Sequence, residues 1–83
     1  MSYDKVKQAS KTIIGTKQAV KAMHAGQVTE VFVALDADSW VTDPAILLAK
    51  EIGIPIATVE SKSELGKACG IHVGTAVVAI TVS

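Results

Sequence analysis

The chain has 83 residues, 49% of them hydrophobic but only 4% aromatic, and its eight lysines exactly balance eight acidic residues. This length holds one domain, residues 1–83, with an aliphatic core. The apolar content excludes a disordered chain, and no apolar run approaches the ~18 residues of a membrane span. The polar start, Met1 to Lys5, lacks the apolar stretch of a secretory signal, and the single cysteine cannot form an internal disulfide. Both features lead us to expect a cytoplasmic protein without a membrane partner.

Residues 3–11 read as a short lysine-rich helix, and Thr12-Ile13-Ile14 as a brief strand stopped by Gly15. Thr16 is the expected cap of a helix over 17–25, with Ala19, Val20, Ala22 and Met23 as its apolar stripe and Gly26 as its stop. Glu30 to Leu35 is too continuously apolar for a surface strand and reads as buried. A polar connection over 36–42 follows, with Asp43 capping and Pro44 opening a helix over 44–52 that Gly53 closes. Ile54 to Val59 is a strand with Pro55 at its start, where a missing N–H is tolerable. Ser61 with Glu64 forms a capping-box pattern for a helix through Cys69. Gly70 to Gly74 is a loop, and Thr75 to Val82 a final apolar strand. Helices and strands alternate throughout, which places a sheet between helices.

Charge is unevenly distributed along the chain. Residues 1–29 hold five lysines against one aspartate, residues 30–60 one lysine against six acids, and residues 61–83 two lysines against one glutamate. A neutral total thus conceals a basic pole able to attract a polyanion.

No arrangement supports catalysis. Asp36-Ala37-Asp38 after an apolar strand has the spacing of a haloacid-dehalogenase-type nucleophile and acid, but the chain is too short for that domain, and turn and capping roles account for the pair. As a calcium loop it carries Val41 and Leu47 where glycine and glutamate are needed. Gly15-Thr16-Lys17 lacks the upstream glycine of a phosphate loop. His24 and His72 have no partners at metal-ligand spacing, so neither metal nor cofactor is expected. Cys69 reads as a buried inert thiol and Trp40 as a packing lid. What remains is a helix start bearing Lys17 and Lys21, and a second pair, Lys62 and Lys67. Free N–H groups, a positive dipole and lysines suit phosphates, and Gln18 can hydrogen-bond a base edge.

The series Gly15-Thr16-Lys17-Gln18-x-x-Lys21, Val33-Ala34-Leu35-Asp36-Ala37-Asp38, Ile54-Pro55, Val59-x-Ser61-Lys62-x-x-Leu65-Gly66-x-Ala68-x-Gly70 and Ala76 to Ile80 runs the length of the chain. It resembles the L-seven-Ae/L-thirty-e family of ribosomal and kink-turn RNA-binding proteins, the Ser-Lys-x-x-Leu-Gly-x-Ala-x-Gly block being the most specific part. The resemblance implies an α/β fold, a three-layer α/β/α sandwich around a small four-stranded mixed sheet. It also implies a non-enzymatic protein recognising kinked internal-loop RNA with sheared G·A pairs, in ribosomal RNA or a structured mRNA element, and acting as a monomer. Carried over by position, the RNA-reading helix start is Gly15, Thr16, Lys17, Gln18 and Lys21. Lys62 matches a phosphate contact, and Asp36 an acid that orients the neighbouring lysines. Ile71, His72 and Val73 match the loop that packs on a flipped-out nucleotide. Lys17-Gln18, where many archaeal relatives carry Asn-Glu, resembles the L-thirty-e branch, and His72 stands where close relatives carry Glu. The alternative, from another class, is an assembly subunit of a ribonucleoprotein that touches no RNA itself.

Overall fold

A computed structural model describes residues 3–9 and 11–81. Its elements are α1 (Asp4–Gln8), β1 (Thr12–Ile14), α2 (Thr16–His24), β2 (Val28–Ala34), α3 (Ser39–Ile52), β3 (Ile56–Val59), α4 (Lys62–Ala68) and β4 (Val77–Thr81). The strands form one mixed sheet in the order β1-β4-β2-β3. β4 pairs antiparallel with both β1 and β2, while β2 and β3 are parallel.

Alternation along the strands builds two apolar faces. Val31, Val33, Val77 and Ala79 face one way and are buried with Ala19, Ala22 and Met23 of α2 and Ala45 and Ala49 of α3. Phe32, Ala34, Val59 and Val78 are buried on the other face with Val6 of α1 and Leu65 of α4. The result is the expected three-layer α/β/α sandwich, two helices on each face of the sheet. β2, central and covered on both sides, carries the unbroken apolar run that such burial demands.

Several boundaries differ from the sequence expectations for identifiable reasons. α3 begins at Ser39, capped by Asp38, rather than at Pro44 after an Asp43 cap. The Asp38 carbonyl accepts the Val41 and Thr42 N–H groups at 3.0 and 3.3 Å, closing a first turn inside the segment expected to be a loop. Burial of Thr42 beside Ala45 holds that turn against the body, so Pro44 lies within the helix, where it has no N–H to return to the Trp40 carbonyl. α2 is capped by Gly15 rather than Thr16, the Gly15 carbonyl accepting the Ala19 N–H at 2.9 Å. Leu35, expected inside the buried strand, stands one residue past β2 and is 64% exposed. The final strand begins at Val77 rather than Thr75, and Val82 lies outside the described residues, as does Ser10 of the expected first helix.

Candidate nucleic-acid interface

The strand directions gather the predicted residues at one end of the sheet. β1, β2 and β3 all run toward this end and β4 starts from it. The segments that leave or enter there are therefore Gly15–Gln18, Leu35–Asp38, Glu60–Lys62 and the loop before β4. Backbone hydrogen bonds fasten the cluster. Gly15 N–H donates to the Val77 carbonyl at 2.9 Å, Leu35 N–H to Val59 at 2.7 Å, and Ala34 N–H to Ala76 at 2.9 Å.

Gly15 makes the β1-to-α2 corner with φ 102° and ψ 149°, a region essentially reserved for glycine. The corner turns the first N–H groups of α2 outward, and no side chain caps them. Lys17 and Gln18 are exposed beside them. Lys21 lies one turn farther along; with Gln18 it lines a groove against Thr12, Ile13 and Gln27. Lys17 and Thr16 instead open toward α3. Lys17 and Lys21, four residues apart on one continuous helix, thus share the face of α2 that lies between the two grooves.

Ser61 caps α4 through its Oγ, which accepts the Glu64 N–H at 3.2 Å. The reciprocal half of the capping box does not form. Ser61 N–H donates instead to the Tyr3 hydroxyl at 3.3 Å, and Glu64 pairs with Lys67 at 3.9 Å. Asp36 Oδ1 accepts the Lys62 N–H at 2.9 Å. The bond ties the Lys62 backbone to the turn after β2. Among the described residues, Lys17, Lys21 and Lys62 enter no ion pair, which leaves their charge for a ligand.

The loop before β4 rests on α4. Ile71 is half-buried and its N–H donates to the Gly66 carbonyl at 3.1 Å, while Thr75 N–H reaches the Lys62 carbonyl at 3.1 Å. His72 is exposed, and Val73 is 70% exposed. Of the three predicted loop residues, Ile71 therefore anchors while His72 and Val73 face outward. The glycine that permits the close approach is chiefly Gly66, since a side chain there would collide with the Val73 carbonyl. Gly74 packs tightly on Lys62 but without such a collision, a Cβ there standing 3.2 Å from the Lys62 Cβ, whereas Gly70, at φ 81°, turns the chain out of α4.

Two exposed apolar side chains at this end were not expected as surface features. Leu35 stands beyond the last strand pair, and Trp40, rather than acting as a packing lid, is 76% exposed on α3. Leu35 ends the apolar run at the Asp36 turn, and that position is the only sequence sign of its exposure. Burial pushes the Cys69 thiol above its usual pKa, only partly opposed by a hydrogen bond with Thr12, so the thiol stays protonated and unreactive near neutrality. No group of His, Cys, Asp or Glu side chains among the described residues could hold a metal ion.

Exposed lysines, free helix-start N–H groups, an amide at Gln18 and an apolar loop make a surface suited to phosphates and an unstacked base. The family model described as "Ribosomal protein L7Ae/L30e/S12e/Gadd45 family" matches residues 2–83. The chain belongs to this family. It is 50% identical over 80 residues to the RNA-binding protein YbxF of Geobacillus stearothermophilus, covering 96% of this chain and 98% of that one. An RNA-binding protein of Bacillus pumilus is 56% identical over the same shares of the two chains. Among solved structures, the Giardia lamblia 15.5kD RNA binding protein superposes with a TM-score of 0.88 at 30% identity, covering 98% of this chain and 71% of that one. Family membership and this superposition agree with the three-layer fold and with the sequence resemblance.

Proposed function

We propose that this L7Ae-family protein is a non-enzymatic RNA-binding module that recognises kink-turn RNA through the end of the sheet formed by Gly15–Lys21, Asp36, Lys62 and Ile71–Val73. Relatives named as RNA-binding proteins that match it over nearly their whole length support the RNA partner. One observation carries the choice of surface: the start of α2, with exposed lysines and outward N–H groups, lies at the same sheet end as the exposed loop residue Val73. A regular A-form helix hides its major groove from side chains. A kinked internal loop opens that groove to the α2 start, where Gln18 reaches base edges and Lys17, Lys21 and Lys62 meet phosphates. Val73 packs against a base turned out of the stack. The protein acts as a cytoplasmic monomer, with a ribosomal RNA or a structured mRNA element as its target.

Crosslinking in cells followed by sequencing of the recovered RNA tests the proposal. The expected result is enrichment of internal loops with tandem G·A pairs, lost when Lys17 and Lys62 are both changed to alanine. Recovery of unstructured RNA alone, or of none, overturns it.

A further inference from the structure

Trp40 occupies the second position of α3 and leaves most of its indole in water. An indole so exposed forfeits much of the apolar burial that a core tryptophan supplies. Its ring borders an open groove of about 380 Å³ between α2 and α3, lined by Thr16, Lys17, Val20, Trp40, Val41 and Pro44. That volume lies in the lower part of the range for small-ligand sites, roughly 300–1,000 Å³. The lining is apolar apart from Thr16 and the Lys17 ammonium.

Two features of the groove select its occupant. The first is continuity: Thr16 and Lys17 are the first two residues of α2, so the groove opens directly off the candidate RNA interface. The second is charge. Lys17 supplies one cation at the α2 side, while Asp38 and Asp43 flank Trp40 along the chain. Carboxylates at that end repel a phosphate and leave the ring to an uncharged, planar group. An apolar aromatic face with one lysine beside it matches a single nucleotide, base on the indole and phosphate on the ammonium.

We infer that this groove is a second RNA subsite, in which an unpaired nucleotide flanking the kinked core stacks its base on Trp40 and sets its phosphate against Lys17. The inference rests on the RNA-binding reading and extends the contact surface from the α2 start across to α3.

Trp40 is the only tryptophan in the chain, so its emission reports on the groove without a label. The probes are a blunt-ended kink-turn duplex, the same duplex carrying a short run of unpaired adenosines at one end or the other, and an oligoadenylate strand alone. Stacking of one base should make at least one extended duplex bind roughly tenfold more tightly than the blunt one, with Trp40 emission quenched as binding saturates. Trp40→Ala should erase this gain and leave the affinity for the blunt duplex unchanged, while Trp40→Phe retains part of it. Equal affinities with unquenched emission overturn the inference, as does a Trp40→Ala variant that weakens both duplexes equally. A blunt duplex that fails to bind refutes the kink-turn proposal instead. The oligoadenylate strand then decides the subsite alone: quenching supports it, and unquenched emission assigns the groove to some other partner and overturns it.

Discussion

Asp36 Oδ1 accepts the backbone N–H of Lys62 at 2.9 Å, tying the turn after β2 to the first residue of α4. Two of the residues assigned to RNA are thereby fixed relative to one another by one hydrogen bond between an acidic side chain and a helix start, which the positive end of the helix strengthens. Asp36→Ala should cost about 1 kcal/mol of stability, as loss of a capping carboxylate does, and lower the melting temperature by roughly 4–8 °C for a domain of this size. Asp36→Asn keeps an acceptor oxygen and should recover most of both stability and RNA affinity. Thermal melting and RNA titration of the two variants check this. An Asn variant as weak in binding as the Ala variant would show that the charge, rather than the bond, matters.

The Gly66 and Val73 backbones are packed too closely for any side chain at position 66. Gly66→Ala should cost about 1–3 kcal/mol, the range for overpacking a tight interior, and should displace the loop that carries Val73. RNA affinity should fall even where the protein remains folded. Chemical denaturation and binding on the same sample measure both effects.

Gly15 holds a φ of 102°, and no heavy atom lies within 4 Å of where a Cβ would sit. Gly15→Ala therefore tests backbone strain without a clash. The expected cost is about 1–3 kcal/mol, read from denaturant unfolding. A neutral substitution would mean that the corner is not required to turn the α2 start outward.

Much of this architecture is legible in the sequence. The β-branched run before Gly15, the Ser61–Glu64 pattern and the apolar stretch over 31–34 each specify their element through local chemistry. The start of α3 was not legible, because Asp43-Pro44 carries a helix-start signal as strong as that of Asp38. Only burial of Thr42, a tertiary effect, decides between them. The same holds at the site. Lysines and loop residues can be named from their positions, but the exposure of Leu35 and Trp40 depends on where the sheet ends, and the role of Gly66 depends on a loop that folds back from seven residues along the chain.

Lysine substitutions should map the surface through salt dependence. Lys17→Ala, Lys21→Ala and Lys62→Ala should each reduce the slope of log K against log salt by about 0.7–1, the value of one phosphate contact. Lys50, in the last turn of α3 and so toward the opposite end of the sheet, should leave the slope unchanged when replaced by alanine. A Lys50 effect as large as that of Lys21 would place the RNA on the wrong face.

Val73→Asp introduces a charge at an exposed position, so the melting temperature should change little while RNA affinity falls by about 1–3 kcal/mol, the worth of one base packed on such a surface. His72→Ala, which leaves the exposed Val73 side chain in place, should matter much less. Unfolding of Val73→Asp with normal binding by the refolded fraction would reduce the loop to a structural element.

The most direct test of the account compares the affinity for a kink-turn RNA with that for the same RNA in which the G·A pairs are replaced by Watson–Crick pairs, at one fixed salt concentration. Specific recognition should favour the kinked RNA by at least ~3 kcal/mol, on the order of a hundredfold in Kd. Equal affinities would contradict it.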